Sequence, residues 1–225
     1  MAVSTELRLV GERAQFLVQT DDPAYRRALV DLAFDEQGDG FVRSFPADAQ
    51  RLHESYLRFK LTLADVLAQA AGRRLPPWDD ALDAVALRLH GRTDWFLAGS
   101  AALAVRGIDI VPRDLDIVVA DAAGAIEALA DVQIEPLSVN RPGSWIAQWF
   151  GRGFLHARVE WIAGVDPEID VYGSPNEYGP QAASRLETVR WRDHELAVAP
   201  LDVQLAVTEH RGLAARAEEI RDFIG

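Results

Sequence analysis

Apolar residues change their spacing several times along this chain, and each change predicts an element. LRLV and AQFLVQT read as short strands. Asp21-Asp22-Pro23 opens a helix that places Tyr25, Leu29 and Leu32 on one face. The Gly-Asp-Gly of DEQGDGFVRSFP predicts a turn followed by a strand. From about Ala47 an apolar stripe through Leu52, Tyr56, Phe59, Leu63, Val66 and Ala70 predicts a long helix ending at Gly72. The segment RRLPPWDD is a boundary, because consecutive prolines resist helix and Asp79 and Asp80 suit a new first turn.

Beyond that boundary the pattern alternates. Helices are predicted at 79–90, 100–106 and 122–130, and strands at 94–98, 114–119 and 132–136. SWIAQWF and FLHARVEWI read as two longer strands joined at Gly151-Arg152-Gly153, a hairpin signal. ETVRW and ELAVA form a second hairpin. Pro200 opens a helix running to about Arg211, and a last helix carries Ile220, Phe223 and Ile224. The predicted class is α+β: a mixed, mostly antiparallel sheet with helices largely on one face, preceded by an N-terminal α+β extension. The expected division is an extension over 1–75, a core over 76–200 and C-terminal helices over 201–225.

Composition narrows the functions. At 225 residues, 49% hydrophobic and 26% charged, the chain has the make-up of a globular protein with a substantial core. No apolar run approaches membrane-span length, and MAVSTELRLVGER has no secretory h-region, so a cytoplasmic protein without a membrane partner is expected. The absence of cysteine excludes disulfides, thiolate metal sites and thiol nucleophiles. A net charge of -12 argues against a protein that coats nucleic acid. With Lys60 the sole lysine, phosphate contacts elsewhere fall to Arg, hydroxyls or backbone amides. Neither GxGxxG nor a Walker loop is present.

The candidate chemistry lies in FLAGSAALAVRGIDIVPRDLDIVV, residues 96–119. In a strand, Asp114 and Asp116 project to one face with Val118, while Leu115, Ile117 and Val119 take the other. Two adjacent carboxylates repel and are costly to desolvate unless a cation lies between them. Side chains about 7 Å apart along a strand can share ions spaced roughly 4 Å, and magnesium favours a few carboxylates plus phosphate oxygens. The alternative for Asp-x-Asp is an edge strand with solvated aspartates. Gly99-Ser100, at a strand-to-helix junction, offers backbone amides, a hydroxyl and room for an anion, although glycine and serine also start helices for structural reasons.

An apolar strand, Gly-Ser, a short helix and then Asp-hydrophobic-Asp-hydrophobic resembles the nucleotidyltransferase superfamily that includes DNA polymerase beta. It is most similar to small bacterial members such as the lincosamide and aminoglycoside nucleotidyltransferases and nucleotidyltransferase-type toxins. The resemblance spans about 93–211 and implies a sheet of that type. It also implies a third carboxylate on a later strand, acting as base or metal ligand. Glu160, 44 residues beyond Asp116, is the matching candidate. Read as a strand, HARVEWI puts His156, Arg158 and Glu160 on one face; the alternative for Glu160 is pairing with Arg158 or Arg152. Asp166 and Asp170 are weaker rivals.

The resemblance implies a magnesium-dependent enzyme that moves a nucleoside monophosphate from a nucleoside triphosphate to a hydroxyl. Asp114, Asp116 and Glu160 would hold metal and act in catalysis. Gly99, Ser100, Arg113 and Arg211 would bind the triphosphate, with Arg106 and Arg216 as second choices. Family lysines expected near the late helix are missing here. A small-molecule acceptor fits the acidic composition; an RNA or protein acceptor fits the toxin-like members; a non-catalytic nucleotide-binding protein is the reading from another class. Trp145 and Trp149 read as hairpin packing or as platforms for stacking. His210 reads as a helix-end residue, and His90, His156 and His194 have no metal-ligand spacing.

Overall fold

The structure, a computed structural model, describes residues 3–141, 145–172 and 174–225. Its first strands are β1 (Ser4–Val10) and β2 (Arg13–Gln19), followed by helix α1 (Pro23–Asp31) and the hairpin of β3 (Asp35–Gln37) and β4 (Gly40–Pro46). They form a four-stranded antiparallel sheet in the order β1-β2-β4-β3. Helix α2 (Leu52–Ala70) covers it, burying Phe59, Leu63 and Leu67 against Phe16, Phe41 and Phe45. Burying each such side chain contributes about 1.5–3 kcal/mol. The helix begins later than the apolar stripe predicts, because turns occupy residues 47–51 and Arg51 is left-handed at φ 60°.

After residues 71–77 come α3 (Trp78–Leu89), β5 (Trp95–Ala98), α4 (Gly99–Ala104), β6 (Asp114–Val119) and α5 (Ala122–Ala128). Then follow β7 (Ser138–Val139), β8 (Ala147–Leu155), β9 (Ala157–Val165), a 3-10 turn at Ile169–Tyr172 and α6 (Pro180–Ala183). Last are β10 (Glu187–Trp191), β11 (His194–Val198), α7 (Leu201–His210) and α8 (Ala214–Ile224). The second sheet has the order β10-β11-β5-β6-β9-β8-β7. Its β11/β5 and β6/β9 pairs are parallel and the others antiparallel, so the mixed α+β class is borne out. Leu97, Leu115, Ile117, Val159 and Trp161 fill one face beneath α3 and α5. The opposite face of the same strands carries the candidate chemistry.

Two strand expectations change. Residues 132–136 contribute one isolated bridge, Gln133 to Gly153, rather than a strand. Gly151-Arg152-Gly153 is not a turn: β8 runs through it, and the reversal falls at His156, left-handed at φ 61°. The glycines serve packing. A Cβ on Gly151 would overlap the Trp161 indole, and one on Gly153 would lie 3.2 Å from the same ring. Trp161 is 1% exposed, so the two missing side chains admit the largest fully buried residue of the core.

Candidate active site

Register brings the predicted carboxylates together. Ala98 pairs with Asp116 across β5/β6, and in the parallel β6/β9 pair Asp116 lies opposite Glu160 and Asp114 opposite Arg158. With alternating side chains, Asp114, Asp116, Arg158 and Glu160 all rise from the face away from α3 and α5. Leu115 and Ile117, at 0% and 1% exposure, anchor β6 from below. The strand, the Gly-Ser helix start, the Asp-x-Asp strand and a later acid beside the second aspartate thus lie side by side.

Gly99 is tied to Asp116 by lack of space. Its φ is 63°, a left-handed conformation that glycine adopts without strain, and a Cβ there would overlap the Asp116 carboxylate. Ser100 follows, 8% exposed. The Gly99 N–H, expected to face phosphate, donates instead to Glu177 Oε2 at 2.8 Å. Gln204 on α7 locks this contact by donating to the same oxygen at 2.8 Å and to the Gly99 carbonyl at 2.9 Å. Glu177, 5% exposed, is a site acid that the sequence pattern does not mark, since SPNEYGP reads as loop. The available hint is Gln204, a polar residue within the apolar run of α7.

Charge is unevenly balanced here. Arg158 pairs with Asp114 and, at 3.3 Å, with Glu160; Arg152 Nε donates to Glu160 Oε1 at 2.8 Å. Arg152 also binds Glu135 at 2.8 Å and the Leu32 carbonyl at 3.0 Å, joining the first sheet's unit to the acid that faces Asp116. Burial works against both guanidinium charges, but the surrounding carboxylates outweigh it and raise both pKa values. Asp116 has no such partner. Burial, then the charges of Asp114, Glu160 and Glu177, hold its carboxyl well above the usual carboxylate range, with Arg158 opposing. Burial and the charges of Asp116 and Glu177 also push up the Tyr178 hydroxyl, with Arg211 opposing.

Among the described residues, no group of three or more His, Cys, Asp or Glu side chains is arranged to hold a metal ion. Glu160 is held by two arginines. Asp114 and Asp116 nevertheless fit magnesium in donor chemistry, because that ion is commonly bound through one or two carboxylates completed by substrate phosphate oxygens. The excess negative charge around Asp116 is the observation that favours a cation there.

The remaining candidates separate. Arg113 is exposed next to Asp114, and Arg211 caps α7 near enough to Tyr178 to oppose its pKa shift. Arg106 is not a phosphate contact: it is committed to Glu187, Gln204 and the carbonyls of Ala102 and Ala199. Arg216 is half-buried on α8. Asp170 accepts from Gln181 N and Asp166 from Glu168 N, so both organise the loop after β9. The two tryptophans part company: Trp145 meets Phe150 edge-on at 5.4 Å and lines a small cavity with Asp116 and Glu160, whereas Trp149 packs into the opposite core. His194 pairs with Asp83 at 2.8 Å, and His210 ends α7.

No known protein family matches the chain, and no curated protein matches it. Among solved structures, a Thermotoga maritima protein with the provisional designation nucleotidyltransferase is similar at 16% identity and a TM-score of 0.45. The match covers 66% of this chain and 93% of that one, and describes a loose likeness of shape.

Proposed function

We propose that this chain is a magnesium-dependent nucleotidyltransferase, moving a nucleoside monophosphate from a nucleoside triphosphate to a hydroxyl of a small molecule. The observation that carries this reading is Gly99 packed against the under-neutralised Asp116 on the open sheet face, with Glu160 directly opposite. Asp114 and Asp116 would hold the magnesium, which would offset their charge and polarise phosphate oxygens. Ser100 offers its hydroxyl to the phosphates, while Arg113 and Arg211 neutralise their outer charge. The acceptor oxygen attacks the α-phosphorus, the bond to the β-phosphate breaks, and pyrophosphate leaves. Glu160, oriented by Arg152 and Arg158, takes the acceptor's proton. The chain's contribution is mostly positional and electrostatic. Its net charge of -12 favours a small acceptor over RNA.

The test is transfer of labelled nucleotide to a panel of hydroxylated compounds, with and without magnesium. Wild type is expected to give magnesium-dependent product and Asp116→Asn to lose at least about a thousandfold, the scale of removing a group that stabilises transition-state charge. An active Asp116→Asn enzyme overturns the metal assignment. Calorimetry showing no binding of any triphosphate with magnesium identifies a non-catalytic protein instead.

A further inference from the structure

We propose that the large cavity at the far end of the open sheet face binds the acceptor, and that this acceptor is an apolar-bodied amine carrying a hydroxyl. This inference rests on the nucleotidyl-transfer reading for its role, though not for its ligand chemistry. The cavity measures about 780 Å³, within the roughly 300–1,000 Å³ typical of small-molecule sites. Phe96, Val118 and Tyr178 supply apolar and aromatic wall from the open face, with Leu196 and Trp95 added from the other side of the same strands. No Lys or Arg lines it; its ionisable side chains are the carboxylates of Asp94 and Glu195, the His90 imidazole and the Tyr178 hydroxyl, so acids outnumber bases. An anionic ligand is disfavoured there, so the triphosphate belongs at the other end of the face.

The sheet fixes how the two ends relate. Val118 follows Asp116 by two residues on the same face, about 7 Å along the strand. Tyr178 lines both the large cavity and the small one that contains Asp116 and Glu160, so the two spaces meet at its ring. Asp94 precedes Ala98 by four residues, about 13 Å at 3.3 Å per residue. The parallel register of Val198 with Leu97 brings Glu195 level with Asp94, and alternation places both on the open face with Phe96 and Ala197. An amine held by these two carboxylates lays its apolar body along Phe96 and Val118. Its hydroxyl then points past Tyr178 toward Asp116 and Glu160. Charge complementarity and cavity size thus select a compact cation whose amine and hydroxyl stand on the order of 13 Å apart.

The test uses the full chain without metal or nucleotide, and three fluorescent probes: dansylcadaverine, its N-acetylated neutral form, and a dansyl alkyl carboxylate of equal length. The amine is expected to bind with blue-shifted emission, the acetylated form about fivefold more weakly, and the carboxylate more weakly still. Ala197→Trp, which fills the cavity, should abolish binding of all three. The double substitution Asp94→Asn with Glu195→Gln, at exposed positions that do not threaten folding, should bring the amine to the level of the acetylated probe. Equal binding of the three probes, or unchanged binding in Ala197→Trp, overturns the proposal. So does displacement of the amine by adenosine, which would make the cavity a nucleoside site. Transfer to hydroxylated compounds without amine binding defeats this inference alone. Amine binding by a chain that transfers no nucleotide defeats the catalytic reading and leaves the amine site in place.

Discussion

Two aspartates, one in each sheet's unit, are drawn out of solvent to different degrees, Asp22 buried and Asp116 half-buried, and respond in opposite ways. Asp22 is 1% exposed at the N-cap of α1, where it accepts from Ala24 N at 2.9 Å and from Arg73 at 2.8 Å. Arg73 is itself stacked 4.6 Å over the Tyr25 ring. Hydrogen bonding to Arg73 outweighs desolvation and lowers the Asp22 pKa. Asp116 has three acids near it and one opposing guanidinium, and its pKa is raised. Enclosure alone therefore does not decide how a carboxylate behaves; the supply of cations does. Asp22 is neutralised by its own chain, whereas around Asp116 the neighbouring acids outweigh the one guanidinium.

Neutralising the two carboxylates gives the largest separation. Asp116→Asn should lose transfer by about a thousandfold while keeping or raising its urea midpoint, because it removes repulsion. Asp22→Asn should keep its transfer rate but unfold at lower urea, because a cap and an ion pair are weakened. Parallel urea melts and turnover assays read both. If Asp116→Asn is strongly destabilised, its carboxylate is structural like that of Asp22 and the contrast collapses.

The next effect probes why Asp116 stays under-neutralised. Gly99→Ala forces a side chain into left-handed backbone and against the Asp116 carboxylate, and should cost about 1–3 kcal/mol of stability with loss of transfer. The cost should shrink in Gly99→Ala combined with Asp116→Ala, since the overlapping carboxylate is gone. Additive costs in the double variant would show that Gly99 answers only to backbone conformation.

Much of this site is legible in the sequence because strand alternation is a local rule. Asp114, Asp116 and their apolar neighbours sort onto opposite faces as the period of two requires, and the β6 boundaries follow the apolar run. Alternation also puts Glu160 on the same face as Arg158, where it takes up the arginine pairing that the sequence offers as the alternative, even though the hairpin turn falls elsewhere. Gly151 and Gly153 carry a turn signature locally, but their reason lies ten and eight residues away in the Trp161 ring. Glu177 and Tyr178 reach the site by the path of a loop, and Arg152 links Glu160 to Leu32, 120 residues distant in sequence. No local pattern encodes such contacts. Arg106 misleads for the converse reason: a lone arginine near a glycine looks available until four acceptors are found around it.

The smallest effect is also the most direct reading of the two environments. In metal-free buffer, Asp116 binds its proton more tightly folded than unfolded. Its favourable contribution is complete below the unfolded value of 3.8 and declines as pH rises from there through the raised folded value. Asp22 has the opposite sign: its contribution is complete above 3.8 and is lost as pH falls through the lowered folded value. Urea midpoints of wild type minus Asp116→Asn should therefore fall with pH on the alkaline side of 3.8, while wild type minus Asp22→Asn should rise with pH on the acid side. If magnesium binds at Asp116 as proposed, adding it should flatten the first difference and leave the second unchanged, since Asp22 is already paired with Arg73. Two difference curves of the same sign would mean that both carboxylates are neutralised within the chain, and that no cation is needed at Asp116.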